Sequence, residues 1–257
     1  MSSKDFSNSP VALVTGGARR VGAALCRALV GAGWRVVIHA RHSVGEAEAL
    51  RDELCVNAGG VVSSVVVADL READCEGLLG EAAAVFGRLD GLVNNASCYS
   101  RTGLLSSFQE EYEAVFRVNY WAPFGLMRAF ARRGQLGAIL NLLDARMDLQ
   151  DTGSAPYLLS KKALRDATLL CAHAWGPLGI RVNALAPGLV YPPEGVPLSA
   201  MEPLLKSLPL SCATSEEELS KAAVFLMESP SVTGEILYLD GGMHLPGTPM
   251  REKENPQ

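Results

Sequence analysis

The feature that most constrains this chain is a repeated alternation between short apolar runs and longer segments with helical spacing. Runs rich in β-branched or apolar residues predict strands at 11–15, 35–40, 61–68, 89–96, 137–143, 180–186 and 235–240. Between them, apolar residues at helical spacing predict helices at 21–30, 46–57, 72–86, 109–133, 157–175 and 215–227. Strand and helix repeated in this way predict right-handed crossovers and a parallel sheet covered on both faces.

The length of the chain sets the number of domains. Its 257 residues, 48% of them hydrophobic, can bury one large core, and α/β domains of this size often remain single. We therefore predict one domain over 1–257, an α/β fold with a doubly wound parallel sheet of about seven strands, the Rossmann arrangement. Ligands of such folds bind at the carboxyl ends of the strands. Residues that follow the predicted strands are therefore the candidates for function.

Charge and composition exclude several classes of function. The chain has 28 acidic and 23 basic residues, and its longest basic run is Arg132-Arg133, so no nucleic-acid partner is expected. No apolar run is long enough to cross a bilayer, so no membrane partner is expected. The 6 cysteines lack C-x-x-C or metal-ligand spacing, and we expect no metal site. The polar start lacks a signal-peptide stretch, and together these features predict a cytoplasmic protein.

A glycine-rich turn, TGGARRVG at 15–22, follows the first predicted strand. Glycines at a strand-to-helix turn let backbone amides approach a pyrophosphate, which the N-terminus of the helix also favours. Because the turn stands on the first strand of the alternation, it predicts a dinucleotide site; the alternative is a merely tight turn. Its predicted cofactor contacts are Gly16, Arg19, Arg20, Val21 and Gly22.

The end of the second predicted strand indicates which dinucleotide binds. Enzymes that prefer NAD usually place an acid here to accept from the ribose 2′-hydroxyl, but none occurs before Glu46. Arg41 instead offers positive charge to a 2′-phosphate, and its neighbours His39, His42 and Ser43 are expected to add to this site. We therefore predict NADPH; the alternative is that Arg41 is a solvated surface cation.

The third and fourth predicted strands end in further candidates for the cofactor site. Asp69 and Leu70 follow the third strand, and Asp69 is a plausible acceptor for an adenine amino group. Asn95, Ala96 and Ser97 end the fourth strand, at the carboxyl edge of the sheet.

Tyr157 and Lys161 are four residues apart and therefore share one face of the helix after the fifth strand. A phenol, with a pKa of about 10, exchanges protons poorly at neutral pH. A nearby ammonium favours the phenolate and lowers that pKa. The pair therefore predicts an acid–base group at the carboxyl edge of the sheet.

The motifs TGGARRVG, NNAS, YLLSK, RVNALAPG and LDGG resemble those of the short-chain dehydrogenases/reductases, and the resemblance extends from Val11 to about His244. In that family Tyr and Lys act with a Ser thirteen residues before the Tyr and with an Asn on the fourth helix. Asn119 matches the Asn, which the resemblance implies holds a water linking the Lys to solvent. Asp144 occupies the position of the Ser.

Two departures from the common family pattern point to one branch of it. Arg20 replaces the middle Gly of the glycine motif, and together with Asp144 it resembles the pteridine reductases. That resemblance implies that the Arg contacts cofactor phosphate and pterin, and that the Asp assists the Tyr in delivering a proton to a ring nitrogen. Tyr99 stands where an aromatic ring would stack on the pterin, with Ser97 beside it. Arg101 stands where the branch often has Pro, so the substrate contacts there differ.

These residues predict an NADPH-dependent enzyme that transfers hydride to the C=N bond of a dihydropterin, of the dihydrobiopterin, dihydromonapterin or dihydrofolate type. The expected substrate contacts are Arg20, Ser97, Tyr99, Asp144 and Tyr157. Two alternatives stay open: a reductase of carbonyl compounds such as a 3-oxoacyl thioester, and a non-catalytic nucleotide-sensing protein. The intact Asn119, Tyr157 and Lys161 disfavour the second.

The remaining predictions concern the end of the chain. Pro187 and Gly188 resemble the family turn that lies against the nicotinamide. Residues 189–213 hold too many prolines for one regular helix and are expected to form a substrate lid. A polar tail is predicted from about 246. The resemblance implies a homotetramer with the predicted helix 157–175 and the LDGG end at subunit contacts.

Overall fold

The computed structural model describes residues 6–149, 151–192 and 195–246. A 7-stranded sheet crosses this part of the chain in the order β3-β2-β1-β4-β5-β6-β7, and every neighbouring pair is parallel. The strands are β1 Val11–Val14, β2 Arg35–Ala40, β3 Ser63–Val67, β4 Gly91–Asn94, β5 Gly137–Leu142, β6 Ile180–Pro187 and β7 Ile236–Leu239. The predicted α/β doubly wound sheet is therefore confirmed.

Helices cover both faces of the sheet. The helices are α1 Arg20–Gly31, α2 Val44–Ala58, α3 Cys75–Phe86, α4 Gln109–Phe116, α5 Ala122–Arg132, α6 Ala155–Trp175, α7 Glu202–Ser207 and α8 Glu216–Glu228. Leucines of α1, α2 and α8 pack in one hydrophobic cluster, and apolar residues of α3, α5 and α6 pack in another. None of the helices in the described residues is long and apolar enough to cross a membrane.

The strand order places a crevice at the carboxyl ends of β1 and β4. The chain runs from β1 outwards to β2 and β3, then returns to β4 on the other side of β1. Crossovers on either side of this point lie on opposite faces, and the crevice between them is where open α/β sheets bind ligands. The glycine turn and the Asn95–Ser97 segment both meet there.

The predicted helix over 109–133 is interrupted. A π-helical turn, Arg117–Trp121, separates α4 from α5. Pro123, in the first turn of α5, has no backbone N–H to donate to the carbonyl four residues earlier, so the helical ladder is broken at this point. The π turn directs Asn119 inward, where it is fully buried.

The described part of the predicted lid contains only short helical pieces. A 3₁₀ turn spans Leu198–Met201, and α7 ends at Ser207, two residues before Pro209. Residues 193 and 194 of the predicted lid lie outside the described residues, as does the predicted polar tail from residue 247.

Candidate active site

The glycine turn after β1 is closed by hydrogen bonds from the end of β4. Gly16 has a φ of +60°, which suits glycine. The Asn95 side-chain amide donates to the carbonyl oxygens of Thr15 at 2.9 Å and Gly16 at 3.0 Å, while Thr15 Oγ1 accepts from the Ala96 amide at 3.1 Å. A side chain at Gly22 would collide with the Gly16 carbonyl and Asn95. The turn therefore leaves room for close backbone approach, and its residues fit a pyrophosphate.

His39 supports this turn from beneath, which corrects its predicted place in the 2′-phosphate site. Its Nδ1 accepts from the Gly16 amide at 3.1 Å and its Nε2 lies 3.1 Å from the Ala68 carbonyl. Burial lowers the pKa of the imidazole, although the Ala68 hydrogen bond and the charge of Asp69 oppose the shift. His39 is therefore a neutral structural side chain whose two nitrogens are both occupied.

Arg41 follows β2, as predicted, and forms an ion pair with Asp69. Arg41 Nε lies 3.0 Å from Asp69 Oδ2. The same carboxylate accepts from Arg71 Nη2 at 2.6 Å. Both oxygens of Asp69 are thus engaged by arginine, and its role as an acceptor for an adenine amino group stays a prediction. His42 is exposed beside this pair, and Ser43 is half-buried at the start of α2.

Three further residues of the predicted cofactor site differ in how far their side chains are exposed. The Leu70 side chain is buried in the hydrophobic core, so its backbone is what it can offer to a cofactor. Val21 is partly buried against the cluster beneath α1. Arg19 precedes α1 and lies 3.5 Å from Glu46, both side chains more than half exposed. Arg19 is therefore free to move towards an anion at the turn.

Asp144 and Tyr157 form the hydrogen-bonded pair that the sequence predicts. β5 delivers Asp144 to the carboxyl edge of the sheet, and the first turn of α6 delivers Tyr157. The Tyr157 hydroxyl donates to Asp144 Oδ2 at 3.0 Å. Burial raises the pKa of Tyr157 well above its ordinary value, and the charge of Asp144 raises it further. The phenol is therefore held in its neutral form as a proton donor.

Lys161 does not lower the pKa of Tyr157 in the way the sequence predicts. Its Nζ donates to the Leu142 carbonyl at 2.7 Å and lies 5.7 Å from the centre of the Tyr157 ring. Burial lowers the pKa of Lys161 to about 8, although the charge of Asp144 opposes the shift. The expectation of a stabilised phenolate is corrected, because burial and the neighbouring carboxylate outweigh the cations near the phenol.

Asn119 connects the π turn to the end of β4. Its Oδ1 accepts from the Cys98 amide at 2.7 Å and its Nδ2 donates to the Cys98 carbonyl at 2.9 Å. Nδ2 also donates to Ser160 Oγ at 3.0 Å, and Ser97 Oγ donates to Oδ1 at 3.3 Å. The side chain therefore fixes the segment that carries Tyr99. The water-holding role implied by the family resemblance stays a prediction.

Tyr99 lies at the mouth of the site beside the Asp144–Tyr157 pair. Its ring meets the Tyr157 ring edge-to-face, with 5.0 Å between the centres, and its hydroxyl is 3.0 Å from Ser154 Oγ. The residue is 53% exposed, which leaves an aromatic surface open to a ligand. The structure thus brings together three residues of the predicted substrate site, which are Tyr99, Asp144 and Tyr157, while the Ser97 hydroxyl donates to Asn119.

Arg20, the fifth predicted substrate residue, reaches from the glycine turn to the lid. Its backbone has a φ of +50°, which is uncommon for a side-chain-bearing residue. Its Nη2 donates to the Pro192 carbonyl at 3.0 Å, and its guanidinium lies 4.8 Å from the centre of the Tyr191 ring. Arg20 therefore links the turn that fits a cofactor to the segment that is predicted to form the lid.

The Pro187–Gly188 turn ends β6 and is pinned to the last strand. The Gly188 amide donates to the Leu239 carbonyl at 2.8 Å. A Cβ on Gly188 would lie 2.9 Å from Asp240 Cα, so this close packing requires glycine. The turn lies at the same edge of the sheet as Asp144.

Sequence reasoning missed Arg146, which lies between the two tyrosines of the site. Its guanidinium is 5.5 Å from the centre of the Tyr99 ring and 5.7 Å from that of Tyr157. Its Nη2 lies 3.3 Å from Asp144 Oδ2. A cation two residues after the predicted acid was the available signal.

In the part of the chain with a described structure, no group of three or more His, Cys, Asp or Glu side chains is arranged to hold a metal ion.

Comparisons with known proteins identify the family of this chain. A family model described as enoyl-(acyl carrier protein) reductase matches residues 16–244. Pteridine reductase 1 of Leishmania tarentolae is 31% identical, with 92% of this chain and 97% of the relative covered. The 3-oxoacyl-[acyl-carrier-protein] reductase of a Synechocystis strain is 32% identical, with coverages of 91% and 96%.

Solved structures give the same result. The alternative dihydrofolate reductase FolM from Brucella suis, crystallised with NADP, superposes with a TM-score of 0.86 at 35% identity, covering 97% of this chain and 99% of that one. FolM from Brucella canis, also with NADP, gives a TM-score of 0.84 at 34% identity, with 98% of both chains covered. The chain therefore belongs to the short-chain dehydrogenase/reductase family and is similar to its pteridine reductase branch.

Proposed function

We propose that this oxidoreductase is an NADPH-dependent pteridine reductase, which reduces the C=N bond of a 7,8-dihydropterin to the tetrahydro form. The observation that carries the proposal is the 3.0 Å hydrogen bond from the Tyr157 hydroxyl to Asp144. Most of the family has Ser in place of that acid, and a neutral hydroxyl is enough to assist reduction of a ketone. A carboxylate beside the phenol suits an acceptor that leaves an electron-rich nitrogen.

The residues at the carboxyl edge of the sheet fit NADPH, and relatives crystallised with NADP support this choice. When bound, NADPH supplies the hydride that is added to C6 of the pterin. The glycine turn would bind its pyrophosphate, Arg41 its 2′-phosphate and Lys161 the ribose next to the nicotinamide. The Pro187–Gly188 turn would lie against the nicotinamide.

Tyr157 provides the proton that balances the hydride. As the C6=N5 double bond becomes single, N5 takes the proton of the Tyr157 hydroxyl. Asp144 favours the protonated phenol, because a phenolate beside a carboxylate brings two negative charges together. Tyr157 therefore regains a proton readily after each turnover.

Tyr99 and the adjoining backbone favour a flat heterocycle as the substrate. The half-exposed Tyr99 ring offers a stacking surface next to the reactive pair, and such contacts contribute about 0.5–1.5 kcal/mol beyond burial. Asn119 holds this segment by both polar atoms of its amide. A planar bicyclic ring would thus lie against a surface that is fixed before it binds.

A second candidate is a reductase of 3-oxoacyl thioesters. It is favoured by the Synechocystis relative, which is as similar in sequence as the pteridine reductase. The two candidates share a fold, so the residues of the substrate site, Asp144 above all, have to separate them.

A substrate panel tests the proposal. The purified protein is given NADPH with 7,8-dihydrobiopterin, dihydromonapterin, dihydrofolate or an acetoacetyl thioester, and loss of cofactor absorbance is followed. We expect turnover with at least one dihydropterin or dihydrofolate, and little with the thioester. Turnover of the thioester alone would overturn the proposal in favour of the second candidate.

The variant Asp144→Ser sharpens the comparison, because it restores the residue common in the family. Pterin reduction is expected to fall by about 100-fold or more, the scale of lost acid–base assistance. Asp148→Ser is the matched control, since Asp148 also accepts from a tyrosine, Tyr238, but outside the site. Retained pterin turnover in Asp144→Ser would make the acid incidental.

A further inference from the structure

Arg146 is tied to Asp144 by three contacts. The Arg146 backbone amide donates to Asp144 Oδ1 at 2.8 Å, and its Nε and Nη2 lie 3.4 Å and 3.3 Å from Oδ1 and Oδ2. The first contact caps the 3₁₀ turn Ala145–Asp148, so backbone and side chain act on the same carboxylate. Asp144 is therefore fixed in direction as well as paired in charge.

The Arg146 side chain is enclosed rather than solvated. Only 25% of it is exposed, compared with 18% of the Asp144 side chain. Its guanidinium contacts the rings of Tyr99 and Tyr157, and its Nη1 lies 3.5 Å from Asp151 Oδ2. At this degree of burial, removing one partner of an ion pair leaves a charge that the protein solvates poorly.

We infer that Arg146 is a positioning residue that keeps the Asp144 carboxylate ionised and directed at the Tyr157 hydroxyl, so that the transferable proton of the pair resides on Tyr157. This inference rests on the proposed function insofar as the pair is the proton source. It adds the assignment of the proton, which the hydrogen bond between two titratable groups does not by itself provide.

Lys161 approaches from α6 and interacts with the charge of Asp144 at a distance, while its Nζ donates to the Leu142 carbonyl. Asp151, on the segment before α6, is itself an anion that shares Arg146. Tyr157 is a neutral phenol, because burial raises its pKa well above the ordinary value. Arg146 is the cation in direct contact with the Asp144 oxygens in the described structure.

The inference is tested with Arg146→Gln, which removes the charge, and Arg146→Lys, which retains it. The Asp144 carboxyl carbon is followed by ¹³C NMR against pH in aspartate-labelled protein, its signal being identified by its loss in Asp144→Asn. We expect the titration midpoint to rise by about one pH unit or more in Arg146→Gln, as for a carboxylate that loses an adjacent cation. In Arg146→Lys, the titration midpoint is expected to rise by no more than half as much.

Arg165→Gln is the matched control. Arg165 Nη1 lies 2.8 Å from Asp148 of the same 3₁₀ turn, with side-chain exposures of 29% and 28%, so a comparable ion pair is lost away from Asp144. This variant is expected to leave the Asp144 midpoint unchanged. An unchanged midpoint in Arg146→Gln, or an equal rise in the control, would overturn the inference.

The kinetic arm measures kcat against pH with a dihydropterin that the wild type reduces. The part of the pH dependence of kcat that is due to Asp144 is identified by its absence in Asp144→Asn. This part should move to higher pH in Arg146→Gln. In the Asp144→Asn background, Arg146→Gln should no longer lower kcat, whereas an equal loss in both backgrounds contradicts an action through Asp144. If no dihydropterin is reduced, the proposed function fails while the NMR result still decides the role of Arg146.

Discussion

The proton chemistry of the site depends on the charges within a few ångströms of the Tyr157 hydroxyl. Asp144 accepts from it at 3.0 Å, while the cations of Arg146 and Lys161 each lie 5.7 Å from the centre of its ring. The nearest charge is negative, so it dominates at short range and favours the protonated phenol. The cations limit the penalty when Tyr157 transiently gives up its proton.

Arg41 offers a residue-level test of cofactor choice. Its ion pair with Asp69 runs through Nε, which leaves the edge formed by its two terminal nitrogens for a second anion. In Arg41→Ala we expect NADPH binding to weaken by about 1.5–3 kcal/mol, the range for a hydrogen bond to a charged group. NADH, which lacks the 2′-phosphate, should bind as before. Isothermal titration calorimetry with both nucleotides measures the difference.

Arg51→Ala is the control for this test. Arg51 lies on α2, where it pairs with Asp52 at 2.8 Å, and its side chain is 36% exposed against 39% for Arg41. It is expected to leave both affinities unchanged. If Arg41→Ala weakens NADPH and NADH equally, the effect reflects general damage and the 2′-phosphate assignment is wrong.

The roles of single residues were predictable where their spacing in the sequence fixes their place. They were not predictable where the role depends on the direction of the side chain. The interval of thirteen residues between Asp144 and Tyr157 joins a strand end to the next helix, and the structure brings the two together. His39 lies within β2, two residues before Arg41, and is held beneath the glycine turn by Gly16 and Ala68, contacts that the local sequence does not reveal. Arg146 was missed because its role requires knowing that the 3₁₀ turn folds it back over Asp144.

At the scale of elements, the π turn between α4 and α5 has a function in the site. Periodicity alone predicts one continuous helix over 109–133. Pro123 breaks the ladder of hydrogen bonds, and the wider turn places Asn119 in the interior. There it binds both backbone polar groups of Cys98 and so connects the π turn to the segment that follows β4.

The variant Asn119→Ala is expected to loosen this connection. It leaves the amide and carbonyl of Cys98 without their side-chain partner, so the free energy of unfolding should fall by about 1–3 kcal/mol in urea denaturation. The KM for a dihydropterin should rise, because Tyr99 is no longer held, while NADPH affinity changes less. Asn57→Ala, at an exposed position of α2, should alter none of these quantities. An unchanged KM in Asn119→Ala would show that the segment is fixed by other contacts.

At the scale of the whole molecule, the sheet unites residues from distant parts of the sequence at one edge. The alternation of strands and helices predicts the sheet and its two covered faces, yet no local pattern states that β4 returns to the far side of β1. That order brings Asn95 to the glycine turn across about eighty residues of chain, and their hydrogen bonds measure 2.9 Å and 3.0 Å. The site therefore depends on long-range packing, which local periodicity does not determine.

The same packing buries Lys161, which couples the stability of the fold to pH. In the native protein the pKa of Lys161 is about 8, lowered by burial, whereas in an unfolded chain it is about 10.4. Between these values the unfolded chain binds a proton that the native protein has released. The free energy of unfolding contributed by this residue therefore rises with pH across that interval. Below about pH 8 both states hold the proton, and the cost of the buried charge is fully present.

Comparison of the wild type with Lys161→Met isolates this contribution, because the other titrating groups are common to both. From pH 7 to pH 9.5, the free energy of unfolding of the wild type should rise relative to the variant by about 2 kcal/mol, at 1.36 kcal/mol per unit of pKa difference. Urea denaturation of the cofactor-free protein at the two pH values measures it. Lys162→Met removes a half-buried lysine from the next position of α6, and its free energy of unfolding should change with pH as that of the wild type does. Parallel curves for Lys161→Met would mean that Lys161 keeps its proton in the native state, so that the Leu142 carbonyl and Asp144 together outweigh the cost of burial.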